Sequence, residues 1–232
     1  MMHSLPEGYR ALVFGASGAI GQALVQVLQS DPRCANVWGV SRQSTPNFDL
    51  LSEASMAACA QALAAQGPFQ LVLDATGALT LNGLGPEKRL DDLDAAHLMN
   101  SLHLNAVGPS LLLKHFWPLL ASGERVIWGK LSARVGSIQD NRKGGWYGYR
   151  AAKAALNMLL QTAAIEVSRR RPLVVVAALQ PGTVQSALSQ PFVGHDALSP
   201  EDAVQRLLSV LDALQPTGRA QFVDHQGQHI PW

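Results

Sequence analysis

Tyr149 and Lys153 stand four residues apart in the stretch GGWYGYRAAK, residues 144–153. On a helix, residues at that spacing lie on one face, one turn apart. An ammonium held so close favours the phenolate and pulls a tyrosine pKa down towards working pH, which suits a group that gives and takes protons. Tyr147 is a neighbour but is not one turn from Lys153, so Tyr149 is the candidate proton donor. A solvated helix face also carries Tyr and Lys, so the pair gains meaning only from the elements that position it.

Those elements are legible as an alternation. Apolar strand candidates lie at Ala11–Phe14, Val37–Val40, Gln70–Asp74, Arg125–Gly129, Leu173–Leu179 and Gln221–Val223. Helical candidates lie at about 19–29, 52–66, 91–120, 149–169 and 199–214, with Pro109 expected to bend or interrupt the long fourth one. Strands each followed by a helix predict an α/β fold, a doubly wound parallel sheet with helices on both faces. The 232 residues, 47% apolar and 6% aromatic, fit a single domain spanning 1–232. Ligands of such sheets gather beyond the carboxyl ends of the strands, so the chemistry should sit in the loops there.

Composition excludes several classes. The formal net charge is +1 and the densest basic run is SRRRP at 168–172, at a helix end where cations suit the macrodipole. Nucleic acid is therefore not an expected partner. Cys34 and Cys59 form no CxxC motif and predict free thiols. The opening MMHSLPEGYR has no apolar h-region and no apolar run reaches membrane length, which predicts a cytoplasmic protein without a membrane partner. His225 and His229 flank Gly227 in a turn-like segment and are expected at the surface, with no metal site.

The first strand runs into ALVFGASGAIGQAL, which places Gly15, Gly18 and Gly21 at the strand–helix junction. Gly15 permits a tight turn, Gly18 lets the backbone approach a pyrophosphate, and Gly21 lets helix and strand pack closely. Ser17, Ala19 and Ile20 complete the loop, and the helix N-terminus supplies N–H groups and partial positive charge. A strand before and an amphipathic helix after make this a dinucleotide-site signature.

That loop, the βαβ start and the Tyr/Lys pair together resemble the short-chain dehydrogenase/reductase family over nearly the whole chain, from GASGAIG to HIPW. The likeness is greatest to its C-factor (cell–cell signalling) subgroup, through RVGSIQDNRKGGWYGYRAAKAALNM and the closing G-x-x-I-P-W. The resemblance implies a Rossmann-type fold and hydride exchange at a nicotinamide between a carbonyl and an alcohol. It implies Tyr149 as acid/base, Lys153 lowering its pKa and bonding the nicotinamide ribose, and Asn105 holding a proton-relay water. It also implies a homodimer or homotetramer through the helices at 91–120 and 149–169.

Cofactor preference is read after the second strand, where VWGVSRQS has no acid. A carboxylate there would repel a 2′-phosphate. Arg42 can instead grip one with paired donors, with Ser41 adding a hydroxyl, so NADP(H) is expected over NAD(H). The resemblance places Asp49 and Leu50 at the adenine, although Asp49 could also cap the next helix, where Ser52 is the better cap. In VLDATGAL, the family's Asn-Asn-Ala-Gly becomes Asp74, Ala75, Thr76 and Gly77, of which only the glycine matches. In PGTVQS, the resemblance implies that Pro181 and Gly182 turn the chain under the nicotinamide and that Val184 meets its carboxamide through backbone, and Ser186 could reach pyrophosphate or carboxamide.

The fourth catalytic position departs from the family. Aligned on Gly136, KLSARVG puts Ser132 at the first of the usual two serines and Ala133 at the second, which polarises the substrate oxygen. Losing one positioned donor costs on the order of 10²–10³ in turnover. Ser132 or Ser137 could take its place, and Lys130 stands where Asn is common. Two readings follow: an NADP(H)-dependent carbonyl reductase or alcohol dehydrogenase, or a cofactor-binding regulatory protein of the same fold with weak or no catalysis.

Overall fold

The run YRALVF, Tyr9–Phe14, forms β1 and is buried at all but one position. That is the pattern of a central strand covered on both faces. The structure, a computed structural model, describes residues 1–185 and 197–232. Strands β2 (Cys34–Val40), β3 (Leu71–Asp74), β4 (Val126–Leu131), β5 (Val174–Gln180) and β6 (Ala220–Asp224) complete one sheet. Its order is β2-β1-β3-β4-β5-β6 and every pairing is parallel. The chain steps from β1 outward to β2 and returns past β1 to β3, so the winding reverses between β1 and β3. That reversal opens the crevice in which doubly wound sheets bind ligands.

Helices cover both faces. Leu24 and Leu28 of α1 (Ala19–Gln29) share one core with Val204, Leu207 and Leu211 of α6 (Pro200–Ala213). On the other face, α2 (Glu53–Leu63), α4 (Gly108–Phe116) and α5 (Tyr147–Ser168) bury Met56, Phe116 and Leu156 among others. Phe14 anchors this second core, its ring 4.6 Å from Phe116 and 5.5 Å from Phe48, edge-on to both. The β4–α5–β5 and β5–α6–β6 connections step the same way across the sheet but put their helices on opposite faces.

The helix expected over 91–120 is broken. It runs as α3 (Ala95–Leu102), a π-helical turn at His103–Val107 and α4, then a 3₁₀ turn at Trp117–Leu119. Pro109 is the cause. It has no N–H for the Asn105 carbonyl, and its ring would clash there. Gly108 instead donates back to the His103 carbonyl, which widens the turn around Asn105. The sheet strands also start earlier than their apolar runs suggest, at Tyr9 and Cys34, because polar residues at a strand entrance can still pair.

Close approach at the β1–α1 junction fixes Gly21. A Cβ there would lie 2.7 Å from the Gly15 carbonyl carbon and overlap its oxygen. Gly21→Ala should therefore displace the first loop and cost about 2 kcal/mol or more of stability in urea unfolding. An unchanged midpoint would contradict this packing.

Candidate active site

The loop between β1 and α1 is built to leave backbone accessible. Gly15 adopts φ +76°, donates its N–H to the Val40 carbonyl at 2.9 Å, and has no room for a side chain: a Cβ would stand 3.0 Å from the Ala75 carbonyl carbon. Gly18 precedes α1 in extended conformation, and no side chain caps the helix. Ser17 and Gly18 are exposed, Ala19 and Ile20 half-buried. An uncapped N-terminus beside open glycine backbone fits a phosphate group.

Beyond β2, Arg42 is exposed and Ser41 is buried. The Ser41 hydroxyl accepts from the Gln43 N–H at 3.1 Å, so it is spent on its own turn as an acceptor but retains its proton to donate. Asp49 is exposed and accepts from the Leu51 N–H at 3.0 Å. Ser52 caps α2, accepting from the Ser55 N–H at 3.3 Å, as expected. Leu50, placed at the adenine by resemblance, lies in the core against Gly108, where a Cβ would come within 2.7 Å of the leucine Cγ. Its side chain packs helix to loop.

At the ends of β3 and β4, Asp74 and Lys130 are register partners with both side chains buried. Lys130 Nζ lies 3.0 Å from Asp74 Oδ1 and donates to the Thr76 carbonyl at 2.6 Å and to Thr76 Oγ1 at 3.1 Å. Thr76 returns both its N–H, at 2.9 Å, and its hydroxyl, at 2.5 Å, to Asp74 Oδ1. The ion pair thus ties the turn after β3 to the end of β4. Ala75 and Thr76 are half-buried, and Gly77, at φ +133°, has Asn105 Oδ1 and Lys153 Nζ where a Cβ would point, at 3.0 and 3.5 Å. Asn105 is fully buried and locks this turn: Oδ1 accepts from the Ala78 N–H at 3.0 Å, and Nδ2 donates to the Ala78 carbonyl at 2.9 Å.

α5 begins at Tyr147, after Trp146 in left-handed conformation (φ 54°). Glu87 seats this helix start, its Oε2 accepting the Gly148 N–H at 3.0 Å and its carbonyl the Trp146 N–H at 2.5 Å. A carboxylate at a helix N-terminus is favourable. Tyr149 follows one residue later, and Lys153 one turn on, buried, with Nζ donating to the Leu131 carbonyl at 3.1 Å and 5.5 Å from the Tyr149 ring centroid.

The electrostatics reverse the expectation for the tyrosine. Burial pushes the Tyr149 hydroxyl up to about 12. Burial, and secondarily the Lys130 charge, hold the Lys153 ammonium well below its ordinary value, with Asp74 opposing. Counting charge neighbours alone missed desolvation, which disfavours both charged forms.

Neither candidate serine is free. Ser132 donates its hydroxyl to Asn157 Oδ1 at 2.7 Å inside the core. Ser137 accepts from the Asp140 N–H at 3.0 Å and points its hydroxyl at the Trp232 carbonyl, 3.5 Å away. Ala133 is half-buried in extended backbone. After β5, Pro181 is half-buried and Gly182 turns the chain at φ +82°. Val184 is buried and bridges to Leu198. Ser186 lies outside the described residues. The His225 ring packs on Gly182, where a Cβ would meet its Cε1 at 3.0 Å, so His225 is not the surface residue expected, while His229 is exposed. Among the described residues no cluster of His, Cys, Asp and Glu could hold a metal, and no helix is long and apolar enough to cross a membrane.

Glu87, Asn157 and His225 were not candidates from the sequence. Each acts on a partner distant along the chain, and no local spacing marks them.

The chain is similar to known proteins in sequence and in fold. The family model for short chain dehydrogenases matches residues 9–196. A 1-hydroxy-2-glutathionyl-2-methyl-3-butene dehydrogenase of Rhodococcus sp. is 32% identical over 189 residues, 81% of this chain and 79% of that protein. The C-signal protein of Myxococcus xanthus is 35% identical over 144 residues, 62% of this chain and 83% of its own. Among solved structures, NADPH-bound carbonyl reductase from chicken fatty liver superposes with TM-score 0.84 at 21% identity, covering 99% of this chain and 97% of that one. With strands, glycine loop and Tyr/Lys helix in this order, the chain belongs to the short-chain dehydrogenase family and is an oxidoreductase of that type.

Proposed function

We propose that this oxidoreductase is NADP(H)-dependent and interconverts a carbonyl and an alcohol, with Tyr149 as the acid/base group. The observation that carries the reading is the placement on α5 of Tyr149 one turn before a buried lysine that is fixed to the Leu131 carbonyl. The exposed glycine loop and uncapped α1 fit the phosphates, and exposed Arg42 fits a 2′-phosphate. When bound, the nicotinamide supplies or receives the hydride. The chain's part is the proton: Tyr149 holds it at the hydroxyl and gives it to the substrate oxygen, while Lys153 and Asn105 fix the floor beneath. Carbonyl reductases of the same fold, from chicken and from Drosophila melanogaster, agree with this class of substrate.

Oxidation of NADPH against a panel of aldehydes, ketones and quinones tests the reading, with turnover above background expected for at least one. A second reading, a cofactor-binding regulatory protein, is favoured by the hydroxyl of Ser132 being held by Asn157 and by Ala133 beside it. Tight NADPH binding with no turnover of any compound would select it. For the cofactor, Arg42→Ala should weaken NADPH binding roughly tenfold to a hundredfold and leave NADH unchanged, as expected for loss of one charge-assisted contact. Equal losses for both would contradict the 2′-phosphate role.

The pH dependence has a definite sign. With the Tyr149 pKa near 12, the proton needed for carbonyl reduction is in place throughout the neutral range. Reduction should therefore show no alkaline loss from this group below about pH 10. Alcohol oxidation needs the phenolate and should rise roughly tenfold per pH unit over the same range. A fall in reduction centred near neutrality would contradict the assignment.

A further inference from the structure

Burying two ions to join two strands is costly, and two amides or two apolar groups would join them for less. Asp74 and Lys130 are nonetheless register partners on β3 and β4, each about 1% exposed. Their placement explains what the charges can do. From Lys130 Nζ a bond of 2.6 Å runs to the Thr76 carbonyl, and the next residue, Gly77, is the floor against which Lys153 Nζ and Asn105 Oδ1 close. The next residue of β4, Leu131, gives Lys153 its carbonyl acceptor. Asp74 keeps its second oxygen, Oδ2, buried without a hydrogen-bond partner. Lys130 is therefore paired directly with Asp74, whereas Lys153 bonds the Leu131 carbonyl and feels both charges through space.

We propose that Asp74 and Lys130 form a positioning pair for the reaction centre, in which Lys130 staples the Asp74–Gly77 turn under Lys153 and the two charges set the field at the Lys153 ammonium. This rests on the reading of Lys153 as part of that centre. Among the described residues, the titratable groups facing Lys153 are Lys130 from β4, Asp74 from β3 and Tyr149 from its own helix. Asn105 from the π turn and Gly77 are uncharged. After burial, Lys130 is the larger charge influence and opposes the Lys153 proton, while Asp74 supports it. Removing both charges should make Lys153 easier to protonate. Removing Lys130 alone should do so more, because Asp74 is then left to Lys153.

Lysine side-chain ¹³C/¹⁵N NMR, titrated with pH, reads this without any turnover. Lys153 is identified by the signal lost in Lys153→Met. In the unaltered protein Lys153 should titrate well below the other lysines. In the double variant Asp74→Asn/Lys130→Asn it should shift upward, because the larger, opposing charge is removed with the smaller, supporting one. In Lys130→Met the shift should be larger, with NADPH binding weakened severalfold as the Gly77 turn loosens; the double variant, which leaves no lone buried charge, keeps the proposal falsifiable if Lys130→Met does not fold. An unaltered protein whose Lys153 titrates with the surface lysines overturns the proposal on its own. So does a folded double variant with Lys153 unmoved. A protein that turns over no carbonyl compound, yet gives the predicted titrations, would retire the reductase reading and leave the charge coupling standing.

Discussion

The ion pair between Asp74 and Lys130, 3.0 Å apart and out of water at the carboxyl ends of β3 and β4, organises the centre of this molecule. Its lysine crosses from strand to turn, its aspartate takes both donors of Thr76, and the turn so formed presents Gly77 to Asn105 and Lys153. Breaking such a pair on one side leaves a lone buried charge and typically costs about 3–5 kcal/mol. The proposed reaction centre is thus tied to a contact made between neighbouring strands of the sheet. Burial that strengthens the pair also keeps the Tyr149 proton in place and makes Lys153 reluctant to charge.

Much of the scaffold could be read from local chemistry. The glycine loop was legible because a positive φ at Gly15 and the collision awaiting a Cβ at Gly21 are demands that only glycine meets. Strand and helix alternation followed from apolar runs, and the Ser52 cap from its position. Pro109 announced a break, but not that the break would be a π turn placing Asn105 beside Gly77. That outcome depends on how the helix packs across β3 and β4, and no window of sequence contains it.

The same boundary runs through the site. Tyr149 and Lys153 were visible as a pair because a helix relates them by spacing alone. The direction of the tyrosine pKa was not, since desolvation is set by everything folded around it. Glu87 seating the first turn of α5, and Asn157 taking the Ser132 hydroxyl, join residues far apart in the chain. At Ala133 the sequence showed a missing hydroxyl and left Ser132 and Ser137 as replacements. Both prove to be engaged elsewhere, so Tyr149 is left as the hydroxyl proposed for the substrate oxygen.

A crystal structure with NADPH and an unreactive carbonyl compound tests that assignment most directly. The account predicts the Tyr149 hydroxyl within about 2.6–3.2 Å of the carbonyl oxygen, with Ser132 still bonded to Asn157. Ser132 turned from Asn157 onto that oxygen, or Tyr149 out of reach of it, would contradict the account.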